Sequence, residues 1–194
     1  MRRIVHLSIG ILAGLLVTST VAQAAADISI FAYPPADASA NGGRPMAAPI
    51  PRETVTYNGP DAPGSIIVNT VERRLYFVLP NHQAIKYGIG VGRPGFEWAG
   101  ASPIANKREW PDWTPPPQML KRRPDLPRHM EGGIDNPLGA RAMYLSGSLY
   151  RIHGSNEPDT IGQAVSSGCI RMTNDDVTDL YERVKVGSRV VVMR

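Results

Sequence analysis

From Ser65 onward, apolar residues gather into short runs punctuated by turn residues. Ile66-Ile67-Val68-Asn69-Thr70-Val71 and Leu75-Tyr76-Phe77-Val78-Leu79 are β-branched and aromatic runs divided by Glu72-Arg73-Arg74, and Pro80-Asn81-His82 precedes Ala84-Ile85-Lys86-Tyr87-Gly88-Ile89-Gly90-Val91. This spacing predicts an antiparallel meander. Ala142-Met143-Tyr144-Leu145 and Leu149-Tyr150-Arg151-Ile152-His153 predict a second strand pair, with His153 at a strand end. Val177, Leu180, Tyr181 and Val184 then recur at the helical period behind Thr173 or Asn174 as a cap. Asp175 and Asp176 suit the positive end of that helix, and Gly187 is expected to close the other. Arg189-Val190-Val191-Val192-Met193 predicts a central strand, so the fold class is mainly β with one C-terminal-side helix.

Two stretches lack this pattern. Residues 25–64 are rich in Ala, Pro, Gly and Asn; they carry too little apolar surface to offset the entropy of ordering and read as a flexible tether. Residues 92–137 turn to Gly, Pro and Trp, as in Trp110-Pro111-Asp112-Trp113-Thr114-Pro115-Pro116-Pro117. A stretch this long without regular structure is, when ordered, often a functional wall or lid, and proline's missing N–H predicts that most of it lies outside the sheet.

Ahead of the tether, Met1-Arg2-Arg3, an apolar stretch over 4–21 and Ala22-Gln23-Ala24 follow the basic, apolar and small-residue order of a secretory signal, with cleavage expected after Ala24. An uncleaved membrane anchor is the alternative, because the apolar stretch approaches spanning length. The expected plan is a signal peptide over 1–24, the tether over 25–64 and one folded domain over 65–194, with no stable membrane span once the signal is removed. Cleavage takes away Arg2 and Arg3 and no acid, so the formal charge falls from +4 to +2.

Export to the periplasm argues against nucleic acid as a partner. Lys107, Arg108, Lys121, Arg122, Arg123 and Arg128 are interleaved with Glu109, Asp112 and Asp125, and read either as a solvated face or as a contact for an anionic envelope polymer. Export also sharpens the question of Cys169, the only cysteine, since an oxidising compartment penalises an idle thiol. It can be an inert core thiol, an intermolecular link or a nucleophile.

Its neighbours favour the nucleophile. A thiol of pKa about 8.5 is only slightly ionised near neutrality and needs a base or a positive charge beside it. His153 and Arg171 are the candidates, although a structural histidine and an ion-pairing arginine are the plain alternatives. Gly168 removes a side chain where backbone N–H groups would approach a reacting carbonyl. Arg171, two residues beyond Cys169 on an extended segment, would share its side and could hold a carboxylate bidentately. No two candidate ligands recur at metal-site spacing, and Gly88-Ile89-Gly90-Val91-Gly92 runs into Arg93-Pro94 rather than a helix, so neither a metal nor a dinucleotide cofactor is implied.

Ile152-His153-Gly154, Ser166-Ser167-Gly168-Cys169-Ile170-Arg171-Met172, Asn136-Pro137-Leu138-Gly139 and Trp113-Thr114-Pro115-Pro116 together resemble the L,D-transpeptidases of the bacterial cell wall, with their YkuD-type catalytic domain. The resemblance covers about 65–193 and implies a β-sandwich-like fold of mixed sheets. It implies that Cys169 attacks the L-centre carbonyl of diaminopimelate in a peptidoglycan tetrapeptide stem, releases the terminal D-alanine and forms a thioester. An amine of another stem or of an envelope protein then resolves it. In this reading His153 is the base and later the acid, and the Gly154 carbonyl orients its ring. The backbone N–H groups of Gly168 and Cys169 stabilise the oxyanion, and Arg171, Ser166 and Ser167 bind substrate. Many relatives place a histidine where this chain has Ser167, which leaves His153 as the base. Hydrolysis through the same thioester and a non-catalytic wall-binding module are the alternatives; papain-like peptidases usually have the opposite Cys–His order.

Overall fold

The computed structural model describes residues 50–194. The expected meander forms as β2 (Ile66–Asn69), β3 (Arg74–Leu79) and β4 (Gln83–Gly88), each antiparallel to the next. Asn81 and His82 adopt positive φ at 62° and 55°, which tightens the three-residue connection from Leu79 to Gln83. Of the segment read as a tether, residues 25–49 lie outside the described residues, while 50–64 belong to the fold. Within it, β1 (Glu53–Thr56) pairs with β4 at the sheet edge. Its residues are mostly exposed, so the strand is held by backbone pairing and leaves no apolar pattern to read.

The irregular stretch expected over 92–137 holds the longest strand among the described residues. Gly100–Glu109 forms β6, of which only Ile104 is buried. Residues 100–103 of β6 pair with β11 (Arg189–Met193), and Ile104–Glu109 pairs with β7 (Arg141–Leu145). Pro103 sits where the ladder changes partner, and its carbonyl accepts from Ser146 N–H at 3.0 Å. A proline is tolerated there because that carbonyl, not an N–H, carries the link. The same stretch contains α1 (Pro117–Arg122), a second, short helix. Trp113 and Met130 close the Pro-rich loop through a pair of 2.8 Å backbone hydrogen bonds.

Strand β11 is central, parallel to β2 on one side and antiparallel to β6 on the other. With β8 (Arg151–His153) and β10 (Ile170–Arg171), the mixed sheet runs β1-β4-β3-β2-β11-β6-β7-β8-β10; β5 (Val91–Gly92) and β9 (Ala164–Ser166) form a separate parallel pair. Helix α2 (Asn174–Arg183) begins as expected, with Thr173 Oγ1 accepting from Asp176 N–H at 3.1 Å. It ends at Val184, and Gly187, at φ 91°, serves the later turn into β11 rather than the helix cap. Val177 and Leu180 on α2, Met143, Ile152 and Ile170 on the strands and Val190 on β11 join one apolar core. Among the described residues no helix is long and apolar enough to cross a membrane.

Candidate functional site

Strands β8 and β10 run parallel, with Ile152 beside Ile170 and His153 beside Arg171. Both isoleucines are essentially inaccessible and belong to the core, at 0% and 1% exposure. Strand alternation therefore sends His153 and Arg171 to the opposite face. Stepping the register back by one residue brings Cys169 beside Arg151 on that same face. On the other side of β8, Ala142 and Tyr144 of β7 lie beside His153 and Arg151. One sheet face thus collects Cys169, His153, Arg151 and Arg171.

His153 is buried, and its Nδ1 lies 2.6 Å from the Gly154 carbonyl oxygen. That oxygen can only accept, so Nδ1 carries the hydrogen and Nε2 is left as the basic nitrogen. Burial lowers the His153 pKa to about 3, reinforced by the charges of Arg171 and Arg151 and opposed by the Gly154 hydrogen bond. The ring is neutral near pH 7. Cys169 is a free, partly accessible thiol. Burial pushes its pKa above the ordinary value against the charges of Arg151 and Arg171 and a backbone hydrogen bond from Arg151. Thiol and imidazole are therefore both uncharged at rest.

The turn before Cys169 is tightly built. Ser166 is buried; its hydroxyl donates to the Cys169 carbonyl at 2.6 Å and accepts from Gly168 N–H at 3.1 Å. Ser166 thus braces the turn before Cys169 from within, and in this conformation the Gly168 amide is committed to it. Gly168 has φ 104°, and a Cβ there would run into the Tyr150 ring. Trp98 Nε1 donates to the Gly168 carbonyl at 2.8 Å and stacks on Tyr150, with centroids 4.6 Å apart. Ser167 lies on the outer side of the turn, where Arg93 Nη1 donates to its hydroxyl at 3.2 Å. Gly168 and Ile170 also border a cavity of about 450 Å³ shared with Val71, Phe96 and Trp98.

Gly154 packs where a Cβ would strike Asn174 Oδ1, and that oxygen accepts from Ala140 N–H at 2.9 Å. The motif Asn136-Pro137-Leu138-Gly139 lies behind this peptide: Asn136 is 1% exposed and its side chain ties Glu131 to Leu138 through two 2.9 Å bonds. It supports the His153–Gly154 backbone from behind.

Arg171 was expected to offer its fork to a substrate. It is 7% exposed, and its Nη1 lies 2.8 Å from Glu157 Oε2 and 3.5 Å from Thr160 Oγ1. The loop between β8 and β9 supplies a carboxylate of this chain to a charge that burial would otherwise leave exposed to a low dielectric. Glu157, Trp98 and Tyr150 carry no motif signal, because each reaches the site from a loop, and Asn174 reaches it from the first turn of α2. Arg151 had one: it lies two residues before His153, hence on the same strand face. The basic cluster forms no single patch. Lys107 Nζ caps the carbonyls of Tyr181 and Val184 at 2.6 and 2.7 Å, Arg123 pairs with Asp125, and Arg122 rests on the Phe96 ring, 5.2 Å from its centroid.

The family model described as the L,D-transpeptidase catalytic domain, YkuD, matches residues 63–192. The chain belongs to this family. The probable L,D-transpeptidase ErfK/SrfK of Escherichia coli K12 is 41% identical over 137 residues, covering 66% of this chain and 43% of that protein. The chain spans somewhat under half the length of such curated L,D-transpeptidase relatives. A solved L,D-transpeptidase from Mycobacterium smegmatis superposes with a TM-score of 0.54 at 17% identity, over 66% of this chain and 58% of that one, a likeness of fold. A Brucella melitensis structure named as a probable carnitine operon oxidoreductase is 44% identical, with a TM-score of 0.51, covering 74% of this chain and 94% of that one.

Proposed function

We propose that this L,D-transpeptidase-family chain is an exported peptidoglycan transpeptidase that works through a Cys169 thioester. The observation that carries this reading is the β8–β10 register, which supports a neutral His153 and the Cys169 thiol sharing one sheet face. As Cys169 sulfur bonds to the diaminopimelate L-centre carbonyl carbon of a tetrapeptide stem, its proton passes to His153 Nε2. Collapse breaks the C–N bond to D-alanine, and the same proton goes to the departing amine. The amine of a second stem, or of an envelope protein, then attacks the thioester, gives its proton to Nε2 and restores the thiol. Gly154 keeps the imidazole in the required tautomer throughout. Cys169 N–H is the oxyanion donor this turn offers most directly, since Gly168 N–H is held by Ser166. The N-terminal signal-like segment over 1–24 supports action in the periplasm.

Redox chemistry, suggested by the name of the Brucella relative, fits these residues less well. The glycine run Gly88 to Gly92 ends in strand β5 and not at the helix N-terminus that a dinucleotide phosphate would need, and Cys169 shares its sheet face with a histidine rather than with a second cysteine.

Mass spectrometry of the full chain incubated with disaccharide tetrapeptide tests the proposal. A cross-linked dimer with D-alanine released is expected. Tripeptide alone would assign the chain to hydrolysis, and unchanged substrate together with no β-lactam adduct on Cys169 would leave it a non-catalytic wall-binding module.

A further inference from the structure

We propose that Arg151, rather than Arg171, recognises the terminal carboxylate of the acyl donor; the inference rests on the acyl-transfer reading above. Two arginines share the face that carries Cys169, and they differ in how they are satisfied. Arg171 already lies 2.8 Å from a largely buried Glu157 carboxylate. Among the described residues Arg151 has no acidic partner, and its guanidinium lies over the Tyr144 ring, 5.4 Å from the centroid. Its Nε is buried without a hydrogen-bond partner. A guanidinium with no carboxylate beside it and an unmet Nε donor is incompletely satisfied, so a ligand that brings acceptors to its terminal nitrogens completes the site. A planar fork resting on an aromatic ring is also preorganised for a bidentate carboxylate.

Place and charge agree. The Arg151 backbone hydrogen-bonds the Cys169 sulfur, and strands β8 and β10 are separated by the usual sheet spacing of about 4.8 Å. In the donor, the D-alanine carboxylate stands three covalent bonds beyond the carbonyl carbon that the sulfur attacks. A stem docked for attack therefore carries that carboxylate within a side chain's reach of Arg151. The contact ends when D-alanine departs, which empties the site for the acceptor.

The test compares two donors on the full chain, a tetrapeptide stem ending in D-alanine and the same stem ending in D-alaninamide, with kcat and KM measured separately. Wild type is expected to favour the acid by about 30-fold in kcat/KM, and Arg151→Gln to lose that preference mainly through KM for the acid, so that its acid-to-amide ratio of kcat/KM falls toward one whatever its overall rate. If Arg151→Gln melts well below wild type, Arg151→Lys carries the comparison: it keeps a charge but not the fork, and is expected to retain only part of the preference. Equal use of both donors by wild type, or an intact preference in these variants, overturns the inference and leaves transpeptidation standing. Absence of D-alanine or alaninamide release from either donor, with no β-lactam adduct on Cys169, overturns both.

Discussion

The two faces of the β8–β10 pair are held in different ways. On one, Ile152 and Ile170 disappear into the core beside Met143 and Leu180, where stabilisation comes from apolar burial and is indifferent to direction. On the other, polar groups depend on named partners, His153 on the Gly154 carbonyl, Arg171 on Glu157 and the Cys169 carbonyl on Ser166, while the Arg151 Nε has none among the described residues. A single stretch of backbone thus carries apolar burial on one side and the polar groups of the proposed site on the other. The alternation of the strand is what separates them.

The sharpest way to break this comparison is to empty each face in turn. Cys169→Ala is expected to abolish D-alanine release, a loss of at least about a thousandfold, while thermal melting stays near that of wild type. Ile152→Ala is expected to lower stability by about 2–5 kcal/mol in denaturant unfolding, while the folded protein still acquires a β-lactam adduct on Cys169. A Cys169→Ala chain destabilised as much as Ile152→Ala would show that the faces are not separable.

Gly168→Ala probes the seam between them. At φ 104° an alanine is strained, and its Cβ would displace the Tyr150 ring that stacks on Trp98. Acylation of Cys169 by a β-lactam, followed by stopped flow, is expected to slow by about 10- to 100-fold, with a stability loss of about 1–3 kcal/mol. Unchanged acylation would mean that the turn does not set the position of the sulfur.

The same contrast explains what the amino-acid pattern could reveal. Strands β2, β3 and β7, the start of α2 and the central place of β11 follow from apolar periodicity, because burial leaves a repeating mark in the sequence. Strands β1 and β6 leave almost none: their residues are largely exposed, and backbone ladders alone hold them in the sheet. At the site, Cys169, His153 and Gly168 stand out by residue type and spacing. The Glu157 partner of Arg171 does not, since it arrives through a loop whose path depends on the finished fold. The two-residue offset of Arg151 to His153 is readable in the sequence, but that it has no acidic partner among the described residues shows only in the packed site.

The smallest expected effect is a flat pH profile, and it follows from the burial of both titrating groups. Burial lowers His153 to about 3 from 6.5 and raises Cys169 above 9.0, so each group is neutral between its own folded value and the other's. In the proposed mechanism the thiol transfers its proton as it attacks, and kcat/KM for the donor is expected to vary less than about twofold from pH 5.5 to 8. A resting thiolate–imidazolium pair would instead require ionisation of the free thiol on the acid side, and a fall in rate near pH 6 would identify it. Stability carries the same signature with a definite sign. Between the folded and unfolded His153 values the unfolded chain binds the extra proton, so the His153 contribution is complete above about 6.5 and is lost as pH falls toward 3. Above 9.0 it is the folded chain that retains the Cys169 proton, and stability falls as pH rises. Each group contributes its own part of these slopes: His153→Gln is expected to make the melting curve shallower on the acid side and Cys169→Ala on the alkaline side, beside the remaining slopes of the shifted carboxylates and tyrosines.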